Sequence, residues 1–150
     1  MRIEKVQKLL QEKGIDGWLL YDFRRSNSIA VDFLSIPIET HLTRRLFYWI
    51  PQKGEPVSVV HLVETHVVSH LPGKQRTYAA WKQLHDALRM VLKEAKKVAM
   101  EYSPQCEIPT VSKVDAGIVE LIQSMGPEVV SSASFLQYLT CEWKDEQLEL

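Results

Sequence analysis

Residues 46–61 read LFYWIPQKGEPVSVVH, and this stretch decides the fold. Leu46-Phe47-Tyr48-Trp49-Ile50 is a run of aromatic and apolar side chains, which suits a buried strand. Pro51-Gln52-Lys53-Gly54-Glu55-Pro56 is turn chemistry. Val57-Ser58-Val59-Val60-His61 is a second strand, so the stretch predicts an antiparallel hairpin. Whatever sheet the hairpin joins must therefore be mixed, not wholly parallel.

Working outward, Ile3, Val6, Leu9 and Leu10 follow a helical rhythm, and Gly14 is placed to end that helix in the left-handed region. Trp18-Leu19-Leu20-Tyr21 reads as a buried strand. Asp22 to Arg45 has no single period and reads as a long functional loop carrying a short helix. On the other side, Glu64 to His70 fits one or two helical turns stopped by Pro72-Gly73, and Thr77-Tyr78-Ala79 fits a short edge strand. Trp81, Leu84, Leu88, Val91 and Leu92 form an amphipathic helical stripe. Val98 to Tyr102 is a strand, and Val114, Ile118, Leu121, Ile122 and Met125 mark a helix, with Ser112 and Asp115 spaced as a capping box. Val129-Val130 is a minimal strand, and the Ser131–Ser134 run caps a last helix through Phe135, Leu136 and Leu139. Strands alternating with helices predict a single α/β domain with a mixed, mostly parallel sheet, flanked by helices and containing the hairpin. Residues 1–140 are taken as that domain, and 141–150, CEWKDEQLEL, as the first turns of a linker helix into a further domain.

Composition excludes several function classes. The chain has 150 residues, one domain's worth, with 45% hydrophobic and 25% charged residues, which excludes disorder and coiled coil. Eighteen Lys and Arg against 19 Asp and Glu leave a net charge of −1, with no basic excess for a nucleic acid. No run of about 18 uncharged apolar residues suggests a membrane span, and the charged N-terminus lacks a signal core, so the cytoplasm is the expected location. Cys106 and Cys141, far apart, read as two reduced thiols.

Nothing in the chain is a stand-alone catalytic motif: no G-x-G-x-x-G, P-loop, G-x-S-x-G or C-x-x-C occurs. His61, Glu64, His66 and His70 lie close together, but the H-E-x-x-H spacing is absent, and they read as surface or capping residues rather than metal ligands. Cys106 has no adjacent base in sequence to make it a nucleophile. The most unusual cluster is Arg24, Arg25, Asn27, His41, Arg44 and Arg45. Four guanidiniums in one segment could grip carboxylates bidentately; the alternative is surface pairing with Asp22, Asp32 and Glu39.

Several motifs, taken in order, carry a family resemblance. They are Gly14-Ile15-Asp16-Gly17-Trp18-Leu19-Leu20, Ser26-Asn27, Phe33-Leu34, Thr43-Arg44-Arg45 leading into Phe47 to Pro51, and Gly54-Glu55-Pro56. His61 and Glu64 follow, then Glu101-Tyr102-Ser103-Pro104, Ile108-Pro109, Val111-Ser112, Val114 to Gly117, and Trp143-Lys144 with Glu146. In this order they resemble the N-terminal domain of the creatinase and Xaa-Pro peptidase family, which includes prolidase and aminopeptidase P. Ala30-Val31-Asp32-Phe33-Leu34-Ser35 stands where many members carry a YLTG-like stretch. The resemblance implies a ribonuclease-H-like α/β domain without catalytic residues of its own. It further implies a domain that caps the active site, supports a homo-oligomer and shapes the choice of proline-containing peptides. Catalysis would belong to a C-terminal domain holding divalent metal, manganese by preference. Asn27, His41, Arg44 and Arg45 are the expected substrate contacts. Two other functions share the architecture: a stand-alone binding or oligomerisation module, and the N-terminal domain of a creatinase-like amidinohydrolase.

Overall fold

A computed structural model describes residues 3–139. The expected linker helix, with Cys141, Trp143, Lys144 and Glu146, lies outside the described residues. The chain runs α1 (Ile3–Lys13), β1 (Gly17–Asp22), α2 (Ser28–Phe33), β2 (Leu46–Pro51) and β3 (Val57–His61). A 3-10 segment (Leu62–Val68) leads to β4 (Lys74–Tyr78), α3 (Trp81–Val91) and β5 (Lys97–Met100). Two short 3-10 turns, Pro104–Cys106 and Pro109–Val111, precede α4 (Ala116–Ser124) and β6 (Glu128–Ser131), and residues 133–139 are helical.

The six strands form one sheet in the order β4-β3-β2-β1-β5-β6. The predicted hairpin is β2–β3, with Phe47 opposite Val59 and Trp49 opposite Val57. β2 is also antiparallel to β1, while β1–β5, β5–β6 and β3–β4 are parallel. Only β2 therefore runs against the rest. Every residue of β1 is buried, because helices cover both faces of the sheet. Trp18, Leu20, Tyr48, Ile50 and Val60 point to one face, packed with Val6, Leu10, Val67 and Phe135. Leu19, Tyr21, Phe47, Trp49 and Val98 point to the other, against Leu84 and Leu88 of α3 and Ile118 and Ile122 of α4.

Several boundaries differ from the sequence expectation. The Glu64 to His70 turns are a 3-10 segment beginning at Leu62. The short edge strand starts three residues earlier, at Lys74, and only Tyr78 of it is buried. An edge strand packed on one side carries no apolar run, which is why Lys74 to Arg76 read as loop. Asp115 is itself the N-cap of α4, accepting from the Ile118 N–H, so there is no capping box with Ser112. Gly14 takes φ +68, the left-handed helix stop that its position suggested.

Candidate functional site

Because only β2 is reversed, five strand carboxyl ends and the amino end of β2 meet along one edge of the sheet. In open α/β sheets this edge is where ligands bind. The loops that build it are the 23–45 segment, the start of the 3-10 segment after β3, the α3 entrance after β4, and the 101–115 segment after β5.

Arg44 and Arg45 lie on this edge, immediately before β2. Glu64, 5% exposed, accepts from the Arg44 N–H at 2.9 Å and from the N–H and hydroxyl of Thr43 at 3.1 and 3.2 Å. The Tyr78 hydroxyl donates to the Arg45 carbonyl. Tyr78 is raised above its ordinary value, first by burial, and Arg45 and Arg44 act on it in the opposite sense. Arg45 also acts on Tyr21, whose hydroxyl is held up by burial and by nearby Asp115, and on His85 of α3. Burial and the charge of Arg45 together push His85 below its ordinary value. Arg45 is half-buried, while Arg44 and His41 are exposed.

The remaining members of the cluster serve the scaffold. The Arg25 guanidinium donates to the carbonyls of Pro37 and Thr40, both at 2.6 Å, and so pins the loop that leads to Arg44. Arg24 and Arg25 both adopt left-handed backbone, φ 53 and 64, and the Asp22 carboxylate holds that turn through the N–H groups of Arg25 and Asn27. Asn27 is fully buried: its amide donates to the Tyr21 carbonyl and to Glu101, and its oxygen caps α2 at Ala30. Structure therefore separates Asn27 from Arg44, Arg45 and His41, and gives it a positioning place beneath the edge. The ion pairs with Asp22, Asp32 and Glu39 that sequence allowed do not form among the described residues; Arg89–Asp86 is the pair seen there.

Sequence reasoning missed the buried carboxylate of Glu101. It directly follows β5 and has no ion pair among the described residues, accepting from Trp18 Nε1 at 2.7 Å, Asn27 Nδ2 at 2.8 Å and Ser132 Oγ at 2.9 Å. Burial pushes its pKa up, and the three donors pull it back. Tyr78 and His85 were also missed: Tyr78 stood only in the edge-strand reading, and His85 in none. Of the eight large apolar side chains exposed among the described residues, six (Phe23, Ile38, Leu62, Val63, Trp81 and Ile108) lie in the segments that follow the strands at this edge.

No group of three or more His, Cys, Asp or Glu side chains is placed to hold a metal among the described residues. The chemistry agrees: Glu64 and Asp22 are spent on backbone N–H groups, and His61 caps the 3-10 segment by accepting from Val63. His70 contacts the Leu34 carbonyl, and Cys106 is an exposed thiol.

Among solved structures, the chain superposes on the creatinase/prolidase N-terminal domain of an X-Pro dipeptidase from Streptococcus pyogenes. The TM-score is 0.67 at 14% identity, over 91% of this chain and 96% of that one. The fold is that of a creatinase/prolidase N-terminal domain. Part of a dipeptidase from Pyrococcus horikoshii OT3 has the same fold, with TM-score 0.69 and 17% identity over 93% of this chain. An X-Pro aminopeptidase from Thermotoga maritima MSB8 matches with TM-score 0.66 and 14% identity over 90%. The chain spans about a third of those two proteins, 36% and 35% of their lengths. No family model and no curated protein matches the sequence. At these identities a creatinase/prolidase N-terminal domain is recognised by its fold, and no residue role travels with the likeness. No helix among the described residues is long and apolar enough to cross a membrane.

Proposed function

We propose that this chain is the non-catalytic N-terminal domain of a cytoplasmic, metal-dependent Xaa-Pro peptidase. It caps the active site of a C-terminal catalytic domain, in its own chain or a neighbouring one of a homo-oligomer, and takes part in substrate selection. The observation that carries this reading is the coincidence of three features on one edge of a creatinase/prolidase N-terminal fold. These are two guanidiniums without a hydrogen bond or ion pair among the described residues, a rim of exposed apolar side chains, and buried carboxylates spent on holding the loops. Clustered apolar side chains on an otherwise polar surface mark a face that another surface covers. The metal, manganese by the family resemblance, belongs to the catalytic domain. Arg44, Arg45 and His41 are the substrate contacts, and Asn27 supports them from beneath.

The capping role is tested in the protein translated beyond Leu150. Removing residues 1–139 from that product should leave metal-dependent hydrolysis of small peptides and abolish the preference for short Xaa-Pro substrates. Unchanged selectivity without the domain contradicts the capping role.

A further inference from the structure

On the face of the sheet that packs Val60 against Val67 and Val68, the 3-10 segment, β3 and the start of β4 line a cleft of about 370 Å³. That size falls at the small end of small-molecule sites, roughly 300–1,000 Å³. Ser58 stands two residues before Val60 in β3, so it faces the same side, and it is 3% exposed. It lines the cleft, yet its hydroxyl makes no hydrogen bond among the described residues. A buried hydroxyl without a partner is costly, and the cleft is where Ser58 can find one. Further donors stand around it. The Lys74 ammonium makes no ion pair, and the His66 ring no hydrogen bond, among the described residues. Thr65 keeps its hydroxyl, while its carbonyl accepts from the Gln75 amide at 3.2 Å, which ties the 3-10 segment to β4. The root of Lys74 is fixed as well. Its N–H donates to the Pro56 carbonyl at 2.9 Å, and Gly73 before it takes φ +101 where a Cβ would strike that same carbonyl. None of the nine lining residues is an acid.

The geometry points to an anion site in this cleft, built from the Ser58 and Thr65 hydroxyls, the Lys74 ammonium and the His66 ring. Its ligand is a small phosphomonoester. A carboxylate presents two oxygens in one plane and pairs best with the planar fork of an arginine. No arginine lines this cleft. Its donors are one compact cation, two hydroxyls and one ring, carried on three elements. Such a set converges from several directions and suits a tetrahedral group with three terminal oxygens. The volume leaves room for the organic part of the ester, and Val68 and Leu71 give that part an apolar wall. None of these residues is a substrate contact in the peptidase reading, so the two can fail independently.

The test is an NMR titration of the 150-residue chain with glycerol 3-phosphate. Glycerol, and sodium acetate and sodium chloride at matched ionic strength, serve as comparisons. Glycerol 3-phosphate should shift the amides of Ser58, Thr65, His66, Lys74 and Gln75 to saturation, and the comparisons should not. Lys74→Gln, a change at the exposed rim, should weaken binding by about 10-fold, the effect of one lost charge-assisted contact. Ser58→Ala should weaken it to a similar extent without lowering the thermal midpoint, since the hydroxyl has no protein partner to lose. A merely structural hydroxyl would lower the midpoint and leave binding unchanged. No shift from glycerol 3-phosphate, equal shifts from glycerol, acetate or chloride, or wild-type binding by Lys74→Gln or Ser58→Ala overturns the site.

Discussion

Glu101 shows what a single buried residue does in this domain. Its carboxylate joins β5 to β1 through Trp18, to α2 through Asn27 and to the 133–139 helix through Ser132. Glu101→Ala leaves three buried donors unsatisfied and should cost about 3–5 kcal/mol of stability, measured by urea unfolding. Burial raises the folded pKa above the ordinary 4.5, so the folded chain holds this proton more tightly than the unfolded one. Its contribution is therefore present at low pH and is lost as pH climbs from about 4.5 through the folded value. Glu101→Gln should flatten that part of the stability profile; an unchanged slope would assign it to other groups. Gly17 is a second such position. A Cβ there would lie 2.2 Å from the Trp49 ring, so Gly17→Ala should destabilise the domain by about 1–3 kcal/mol through overpacking. A thermal melt matching wild type would contradict that contact.

At the scale of elements, hydrogen bonds from outside hold the arginine loop although it has no regular structure. Residues 34–45 contain no helix or strand, yet Arg25 ties Pro37 and Thr40 from one end and Glu64 ties Thr43 and Arg44 from the other. Arg25→Ala should therefore speed hydrogen exchange at residues 37–44 while costing the global fold only about 1–2 kcal/mol. Exchange no faster than wild type would show that the loop is held elsewhere. The hairpin, β1 and the stripes of α3 and α4 were legible in sequence because each buries a periodic apolar face. β4 was only half legible, since four of its five residues are exposed and its place is set by pairing with β3. Asn27 was singled out as a polar residue in a rich cluster, but nothing local announces that its partners are Tyr21 and a glutamate 74 residues away. Glu64 and Tyr78 were illegible as site residues for the same reason: their partners lie 20 and 33 positions away, across the carboxyl edge.

At the scale of the whole molecule, the reversed β2 brings every long loop to one edge, and that edge is the one left incompletely covered. Its exposed apolar side chains, and guanidiniums that make no hydrogen bond among the described residues, are the features on which the proposed capping role rests. The most direct test of that claim is turnover. An Xaa-Pro dipeptide and an Xaa-Pro tripeptide would be offered, with and without manganese, to the 150-residue chain and to the product translated beyond Leu150. The chain alone should hydrolyse neither substrate, and the longer product should cleave with manganese. Metal-dependent turnover by the 150-residue chain, or a longer product without peptidase activity, would contradict it.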